Sequence, residues 1–315
     1  MNPVVVIPAR MASTRLPGKP LADIHGRPMI AWMVDLAKAA KAGPVLVAAC
    51  EEEVAEAVLK AGGNVTLTDP DLPSGSDRVH AALEAFDPAG RYDVAVNLQG
   101  DMPTMRAEDV AKAVAALRDG ADIATLVSPS NEAVDRDNPN VVKAVRAADG
   151  RCLYFTRAAA PHGDGPIERH VGVYVYRRDA LARFVAAPPS PLEQREKLEQ
   201  LRALEMGMII RADSIADFPK GVDSPPDLAQ LAQSTGTSQR RLSEAFKKCV
   251  GVTIFEFLRE ERMKEARRLL THTSLDIQAI ALEVGFTSGA NFATAFRERF
   301  SMSPSAFRRD GPAQE

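Results

Sequence analysis

The residues best placed for chemistry stand at the start of the chain. A β-branched run, Val4–Ile7, leads directly into Pro8-Ala9-Arg10-Met11-Ala12-Ser13-Thr14-Arg15-Leu16-Pro17-Gly18-Lys19-Pro20. Arg10, Arg15 and Lys19 fall in one short loop, with two hydroxyls and a Pro-Gly turn among them. Guanidinium groups grip phosphate oxygens in pairs and lysine adds a compact positive charge, so this loop reads as an anion grip. The competing reading is a solvated basic loop.

Two acidic positions extend the pattern. Asp101 ends Asn97-Leu98-Gln99-Gly100-Asp101, just past a second β-rich run, and Asp223 ends Gly221-Val222-Asp223. A carboxylate behind a glycine, at a strand end, is placed to hold Mg²⁺ against a triphosphate. A lone aspartate in a loop equally serves as a turn residue, and Asp223 could instead cap a helix starting near Pro226. Two carboxylates and a cationic loop make a metal-assisted phosphoryl or nucleotidyl transfer site if the fold joins them. Neither Gly-x-x-x-x-Gly-Lys-Ser/Thr nor Gly-x-Gly-x-x-Gly occurs, so a P-loop and a dinucleotide site are unsupported.

The elements that must position these groups are legible as a rhythm. Val4–Ile7, Val45–Ala49, Val65–Leu67, Val94–Leu98 and Ile123–Val127 read as buried strands. Between them, Met29–Lys41, Glu52–Lys60, Asp77–Phe86 and Ala107–Arg118 read as helices. That alternation predicts a parallel sheet covered by helices on both faces, with ligands at the carboxyl ends of its strands. Val141–Val145, Leu153–Phe155 and Val171–Tyr176 add strands less regularly, and Pro191–Met206 reads as one helix. After Asp227 only short helical segments punctuated by glycine remain, including two similar helix–Gly–helix units at Leu228–Lys248 and Ile277–Phe300.

Composition agrees with two modules. The 315 residues are 45% hydrophobic and 26% charged, which excludes a disordered or fibrous chain. Residues 1–231 hold 26 basic against 32 acidic side chains and residues 232–315 hold 13 against 10, so an acidic body precedes a mildly basic tail. Apolar runs fall far short of the roughly 18–20 residues of a membrane helix, and the start lacks the pattern of a secretory signal. Cys50, Cys152 and Cys249 are too far apart for a disulfide framework or a zinc knuckle, which points to isolated thiols in a reducing cytoplasm.

From about Val4 to Leu231 the chain closely resembles the CMP-Kdo synthetase family, the 3-deoxy-manno-octulosonate (Kdo) cytidylyltransferases of lipopolysaccharide synthesis. The matching segments occur in family order: Ile7–Pro20, Ser74-Gly-Ser-Asp-Arg78, Asn97–Asp101, Asn138-Pro-Asn-Val-Val-Lys143, Tyr154-Phe-Thr-Arg157, Arg169-His-Val-Gly-Val-Tyr174, Leu198-Glu-Gln-Leu-Arg202 and Gly221–Asp223. CMP-sialic acid synthetase is the nearest look-alike, and the segments at Arg169-His170 and Leu198–Arg202 favour Kdo. The resemblance implies a nucleotide-diphospho-sugar transferase-like (Rossmann-like) α/β fold, a mixed sheet with helices on both faces, working as a cytoplasmic homodimer through this domain. It gives Arg10, Arg15 and Lys19 to the CTP phosphates and Asp101 and Asp223 to Mg²⁺. It gives Ser13, Ser74, Gly75, Arg78 and Gln99 to the nucleotide, and Arg157, His170, Tyr174, Glu199 and Gln200 to the sugar acid. Met102 stands where many relatives have an acidic residue, and His162 stands where an aromatic is common.

The tail resembles the AraC-type DNA-binding domain, an all-α module of two helix-turn-helix units joined by a long helix. Leu228–Gly236 with Ser238–Lys248 matches the first unit, Phe255–Leu270 the joining helix, and Ile277–Phe286 with Ser288–Phe300 the second. The resemblance implies recognition helices at Ser238–Lys248 and Ser288–Phe300 lying in DNA major grooves. Arg240, Ser243, Asn291 and Thr294 would face the bases, and Arg241, Lys247, Arg297 and Arg299 the phosphates. Ser301 replaces the usual glycine after the last recognition helix. The domain divides as 1–231 and 232–315, with residues 227–235 claimed by both modules and no linker, which points to a fusion. Three functions compete: a Kdo cytidylyltransferase with an impaired DNA-binding module, a transcription regulator that uses the first domain as a sensor, and a cytidylyltransferase for another acidic sugar.

Overall fold

The computed structural model describes residues 1–12, 16–24, 26–118, 120–222, 224, 227–228, 231, 254–273, 275–286 and 288–310. Ser13, Arg15, Asp223, Arg240, Arg241, Ser243 and Lys247 therefore lie outside the described residues. By internal contacts the chain divides into two compact units, Met1–Leu242 and Ser243–Glu315.

The first unit is built on a nine-stranded sheet. Its parallel core is β1 (Pro3–Ala9), β4 (Val45–Ala49), β5 (Asn64–Leu67) and β6 (Val94–Leu98), with β1 between β4 and β6. Along these strands side chains alternate between faces, as the two-residue period requires. Val5, Ile7, Val47 and Val96 pack on one face with α1 (Met29–Ala39), α2 (Glu52–Lys60) and α4 (Ala107–Ala115). Val4, Val6, Leu46 and Ala95 pack on the other with α3 (Gly75–Phe86) and α6 (Arg178–Ala186). Helices thus cover both faces, as the alternation predicts. Strand β5 is an edge and only half-buried, so the reading of Val65–Leu67 as a buried strand fails there.

The rhythm predicts a parallel sheet, whereas the sheet is mixed. Strand β10 (Ile167–Arg177) runs antiparallel between β6 and β7 (Ile123–Ser130). It is entered from a hairpin, β8 (Lys143–Arg146) and β9 (Cys152–Thr156), instead of a helical crossover, and so enters in the opposite sense. Strand β11 (Ile210–Ser214) joins β7 in parallel at the far edge and escaped the sequence reading, because polar residues alternate through it. The helix predicted over Pro191–Met206 is two helices, α7 (Pro191–Glu196) and α8 (Gln200–Glu205), parted at Lys197, whose φ is +57°. Tertiary contacts outweigh helix propensity here: the Glu196 carboxylate accepts from Thr156 Oγ1 and from the Arg157 backbone N–H.

The second unit, over its described residues, packs α9 (Ile254–His272), α10 (Ile277–Glu283), α11 (Gly289–Phe300) and α12 (Pro304–Asp310) around Met263, Leu269, Ile280, Phe292, Phe296 and Phe307. Asp276 caps α10 through the Ala279 N–H, and Ser288 caps α11 through the Asn291 N–H. Between them Gly285, at φ +79°, lets the chain reverse, with Phe286 N–H donating to the Ala281 carbonyl at 2.8 Å and Gly285 N–H to Leu282 at 3.0 Å. This is the tight turn that a helix-turn-helix unit requires. Ser301 closes α11 at φ +59°, a conformation glycine would adopt without strain. Asn291, Thr294 and Arg297 are exposed on α11, while Arg299, assigned to phosphate on sequence grounds, is paired with Glu260.

Candidate active site

One cleft, about 330 Å³ in volume, opens at the carboxyl ends of β1 and β6. Its lining brings together Arg10, Lys19, Ser74, Gly75, Arg78, Gln99 and Asp101, seven of the residues singled out from sequence. The site forms there because β1 and β6 are hydrogen-bonded neighbours, so the loops leaving them face each other. Gly100 is needed for that approach: a Cβ there would lie 3.1 Å from the Pro8 carbonyl oxygen, a backbone atom with no freedom to retreat.

Three walls complete the cleft. Ser74 caps α3, so the positive end of a twelve-residue helix faces the anion grip. Arg78, buried one turn in, donates to Thr68 Oγ1 at 2.7 Å and to the Asp69 carbonyl at 3.0 Å, fixing the loop after β5. Gln99 Nε2 donates to Asn97 Oδ1, which orients its amide. Across the cleft floor, Lys19 Nζ donates to Asp101 Oδ2 at 2.7 Å.

Sequence reasoning missed Glu51, at the start of α2. Its Oε1 accepts the Met11 backbone N–H at 3.0 Å and so ties the cationic loop to the end of β4, while Oε2 is buried without a partner. The only signal was its place two residues past a strand end.

The residues assigned to the sugar acid are not in the lining itself. Glu199 reaches it through Ser74: Glu199 Oε1 is 2.6 Å from Ser74 Oγ, and Glu199 Oε2 is 3.1 Å from Ser76 Oγ. Ser74 Oγ is also 2.5 Å from Asp77 Oδ2, and one hydroxyl proton serves only one carboxylate. The two carboxylates therefore compete for the Ser74 hydroxyl, and burial pushes the Glu199 carboxyl up. Gln200, buried, begins α8 beside it. Arg157 is committed to backbone, donating through Nε to the Glu196 carbonyl and through Nη1 to that of Pro139, each at 2.9 Å.

His170 and Tyr174 stand on β10 in a ladder of rings running Phe155, His170, Tyr174, Tyr176, Phe184. His170 Nε2 lies 3.0 Å from Thr125 Oγ1, whose own proton goes to the Val173 carbonyl at 2.8 Å. Nε2 therefore donates to Thr125. Burial lowers its pKa from 6.5 to about 4. The unfolded chain then binds a proton that the folded chain refuses, so stability is present above pH 6.5 and is lost as pH falls toward 4. The loss reaches about 3 kcal/mol. Urea unfolding of wild type and His170→Gln between pH 7 and 4.5 checks this: the wild type's stability relative to the variant shrinks with falling pH. A constant difference would show that His170 titrates normally.

Sequence reasoning also left Lys143 without a role. Its side chain is wholly buried, and Nζ donates to the carbonyls of Asn138 and Val141 at 2.8 Å and of Arg157 at 2.9 Å. Three acceptors require three protons, so the group is an ammonium even though burial lowers its pKa. Cys152 is buried in the core with its thiol pushed up to about 12, and no disulfide forms among the described residues.

Two carboxylates were expected at the site. Val222 N–H donates to the Asp101 carbonyl at 2.8 Å, and Lys220 is hydrogen-bonded in both directions to Thr104, so the segment preceding residue 223 runs beside the Asp101 turn. Among the described residues no cluster of three or more His, Cys, Asp or Glu could hold a metal unaided. A single hard carboxylate in a phosphate-gripping cleft fits Mg²⁺, which takes few protein ligands and completes its shell with phosphates and water.

Such a sheet, with a cationic cleft and a carboxylate at its strand ends, defines a nucleotidyltransferase. Residues 4–210 match the cytidylyltransferase family and residues 231–310 a helix-turn-helix domain. The chain belongs to the cytidylyltransferase family. It is 59% identical to the 3-deoxy-manno-octulosonate cytidylyltransferase of Parvibaculum lavamentivorans over 72% of this chain and 90% of that one. It is 58% identical to that of Rhodospirillum rubrum, over 74% and 96%. Among solved structures, a CMP:2-keto-3-deoxy-manno-octonic acid synthetase complexed with CTP superposes with a TM-score of 0.71 at 36% identity, covering 75% of this chain and 99% of that one. No helix among the described residues is long and apolar enough to cross a membrane.

Proposed function

We propose that the first unit transfers CMP from CTP to the sugar acid Kdo, releasing pyrophosphate. The observation that carries this is the convergence of Arg10, Lys19, Ser74, Gly75, Arg78, Gln99 and Asp101 on one cleft; the relatives at 58–59% identity supply the substrate. The anomeric hydroxyl oxygen of the sugar acid bonds to the α-phosphorus, the bond from that phosphorus to the pyrophosphate oxygen breaks, and the hydroxyl proton leaves to solvent. Negative charge grows on phosphate oxygens, which the cleft-lining Arg10 and Lys19 and the α3 N-terminus would stabilise, with Arg15 as a further cation. Mg²⁺, when bound at Asp101 and Asp223, supplies Lewis-acid neutralisation of the same oxygens. Arg78, Gly75, Ser13 and Gln99 bound the nucleoside. Arg157, His170, Tyr174, Glu199 and Gln200 shape the sugar-acid pocket, with neutral His170 and the Glu199 carboxyl acting as hydrogen-bonding groups. Dependence on CTP places the reaction in the cytoplasm. Pyrophosphate release from CTP, Mg²⁺ and Kdo tests the reading: turnover with Kdo and little with N-acetylneuraminate supports it, and the reverse preference assigns another acidic sugar.

For the second unit we propose DNA binding through α11, supported by the capped Asp276–Phe300 helix-turn-helix and by the exposed Asn291, Thr294 and Arg297. Leu228, in the segment both modules claim, is buried and falls in the first unit, which supports the reading that this segment serves the first unit and leaves the DNA module without the helix that usually precedes it. Binding is then weak, chiefly to phosphate, and falls steeply with salt. A salt titration on promoter and scrambled duplexes reads this directly. Strong sequence discrimination at physiological salt would restore the regulator reading.

A further inference from the structure

The turn that carries Asp101 and the segment that leads to Asp223 are clasped together in one antiparallel register. Val222 N–H donates to the Asp101 carbonyl at 2.8 Å, Thr104 meets Lys220, and Arg106 pairs with Asp217. Each side of the clasp is anchored on its own. Met102 and Met105 are buried in the core of the first unit on one side. On the other, Ile215 is buried in the same core and Phe218 packs against it, with the Arg169 guanidinium 4.6 Å above the Phe218 ring.

The contacts across the clasp are unequal. The Arg106–Asp217 pair is exposed, at 48% and 78% of its side chains, and such pairs contribute little. The Val222 contact is a single backbone bond. Thr104 does more with one atom: its Oγ1 accepts the Lys220 N–H at 2.7 Å and donates to the Lys220 carbonyl at 3.0 Å. One hydroxyl thus satisfies both backbone groups of Lys220, as a bridging strand residue would. Only a group that both donates and accepts can do this, so serine can replace threonine, and valine, of the same shape, cannot. Register is the critical quantity here. A slip of one residue moves an extended chain by about 3.3 Å, whereas Mg²⁺ holds its oxygen ligands at about 2.1 Å with little tolerance. We propose that Thr104 is a positioning residue for the cation site: its hydroxyl registers Lys220–Val222 on the Asp101 turn, so that Asp101 and Asp223 serve one cation. The inference rests on the reading of Asp101 and Asp223 as cation ligands given above.

Two measurements on the full-length protein test it, with circular-dichroism melting to confirm folding. One is hydrogen exchange at the Lys220 amide, and the other is calorimetric CTP affinity, without Kdo, in Mg²⁺ and in EDTA. Thr104→Val speeds Lys220 exchange about tenfold. It also loses about tenfold of the CTP affinity that Mg²⁺ adds, the equivalent of about 1.4 kcal/mol, while its affinity in EDTA stays that of wild type. Thr104→Ser restores both readings to within about twofold of wild type. Unchanged exchange in Thr104→Val, or faster exchange with the Mg²⁺ gain intact, would overturn the positioning role while Asp101→Asn still abolishes that gain. An equal loss in EDTA would overturn it too, because the hydroxyl would then support the fold and not the cation. If Asp101→Asn kept the full Mg²⁺ gain, the cation reading itself would fall, and the role of Thr104 with it.

Discussion

Asp101→Asn leaves a folded chain whose turnover falls by about 100- to 1000-fold. The substitution keeps the size of the side chain, and the backbone contact between Asp101 and Val222 is untouched, so the turn that presents it survives. What is lost is one negative charge facing the cleft floor. A neutral amide binds Mg²⁺ poorly, and Lewis-acid stabilisation of phosphate oxygens is worth several kcal/mol, each 1.4 or so being a factor of about ten in rate. Steady-state pyrophosphate release at saturating CTP and Mg²⁺, with a thermal melt alongside, measures it. An unchanged melt with turnover within about threefold of wild type would remove Asp101 from the chemistry.

Lys143→Met destabilises the first unit by about 3–5 kcal/mol. Methionine matches the lysine stem in length and fills the same space, so packing is nearly conserved and the effect isolates the ammonium. Without it the carbonyls of Asn138, Val141 and Arg157, all on half-buried residues, lose their shared donor. Each such orphan costs about 1–3 kcal/mol, and breaking buried charge contacts is costly in the same range. The Arg157 carbonyl belongs to the residue that also clamps Pro139 and Glu196, so the β8–β9 hairpin loses its internal tie. Urea denaturation of wild type and variant gives the difference. A loss below about 1 kcal/mol would mean that water replaces the ammonium and that the site is not dry.

The alternation of strands and helices, the helices on both faces and the strand-end loops were legible in the sequence. Arg10, Lys19 and Asp101 were found because their loops leave strands, and strand ends are where an α/β sheet presents its ligands, whereas Gln99 was found through the family resemblance. Lys143 and Glu51 escaped because their importance lies in what surrounds them. A lysine in a β-rich run has the same appearance whether it reaches water or three carbonyls inside the fold. The single helix expected over Pro191–Met206 failed for a related reason: apolar spacing supports one helix, but Glu196 must meet Thr156 and Arg157 from another part of the chain.

By itself the sequence determined the local periods, the glycine-hinged loops, the tail's helix-turn-helix spacing and the set of groups capable of holding phosphate. These depend on neighbours a few residues apart, where side-chain alternation and backbone permissiveness act directly. The tertiary structure alone decided that β10 runs against its neighbours, that His170 is neutral, and that Lys19 meets Asp101. Each of these depends on groups far apart in sequence sharing a dry environment, and the strength of a charge or hydrogen bond there is set by what else has packed around it.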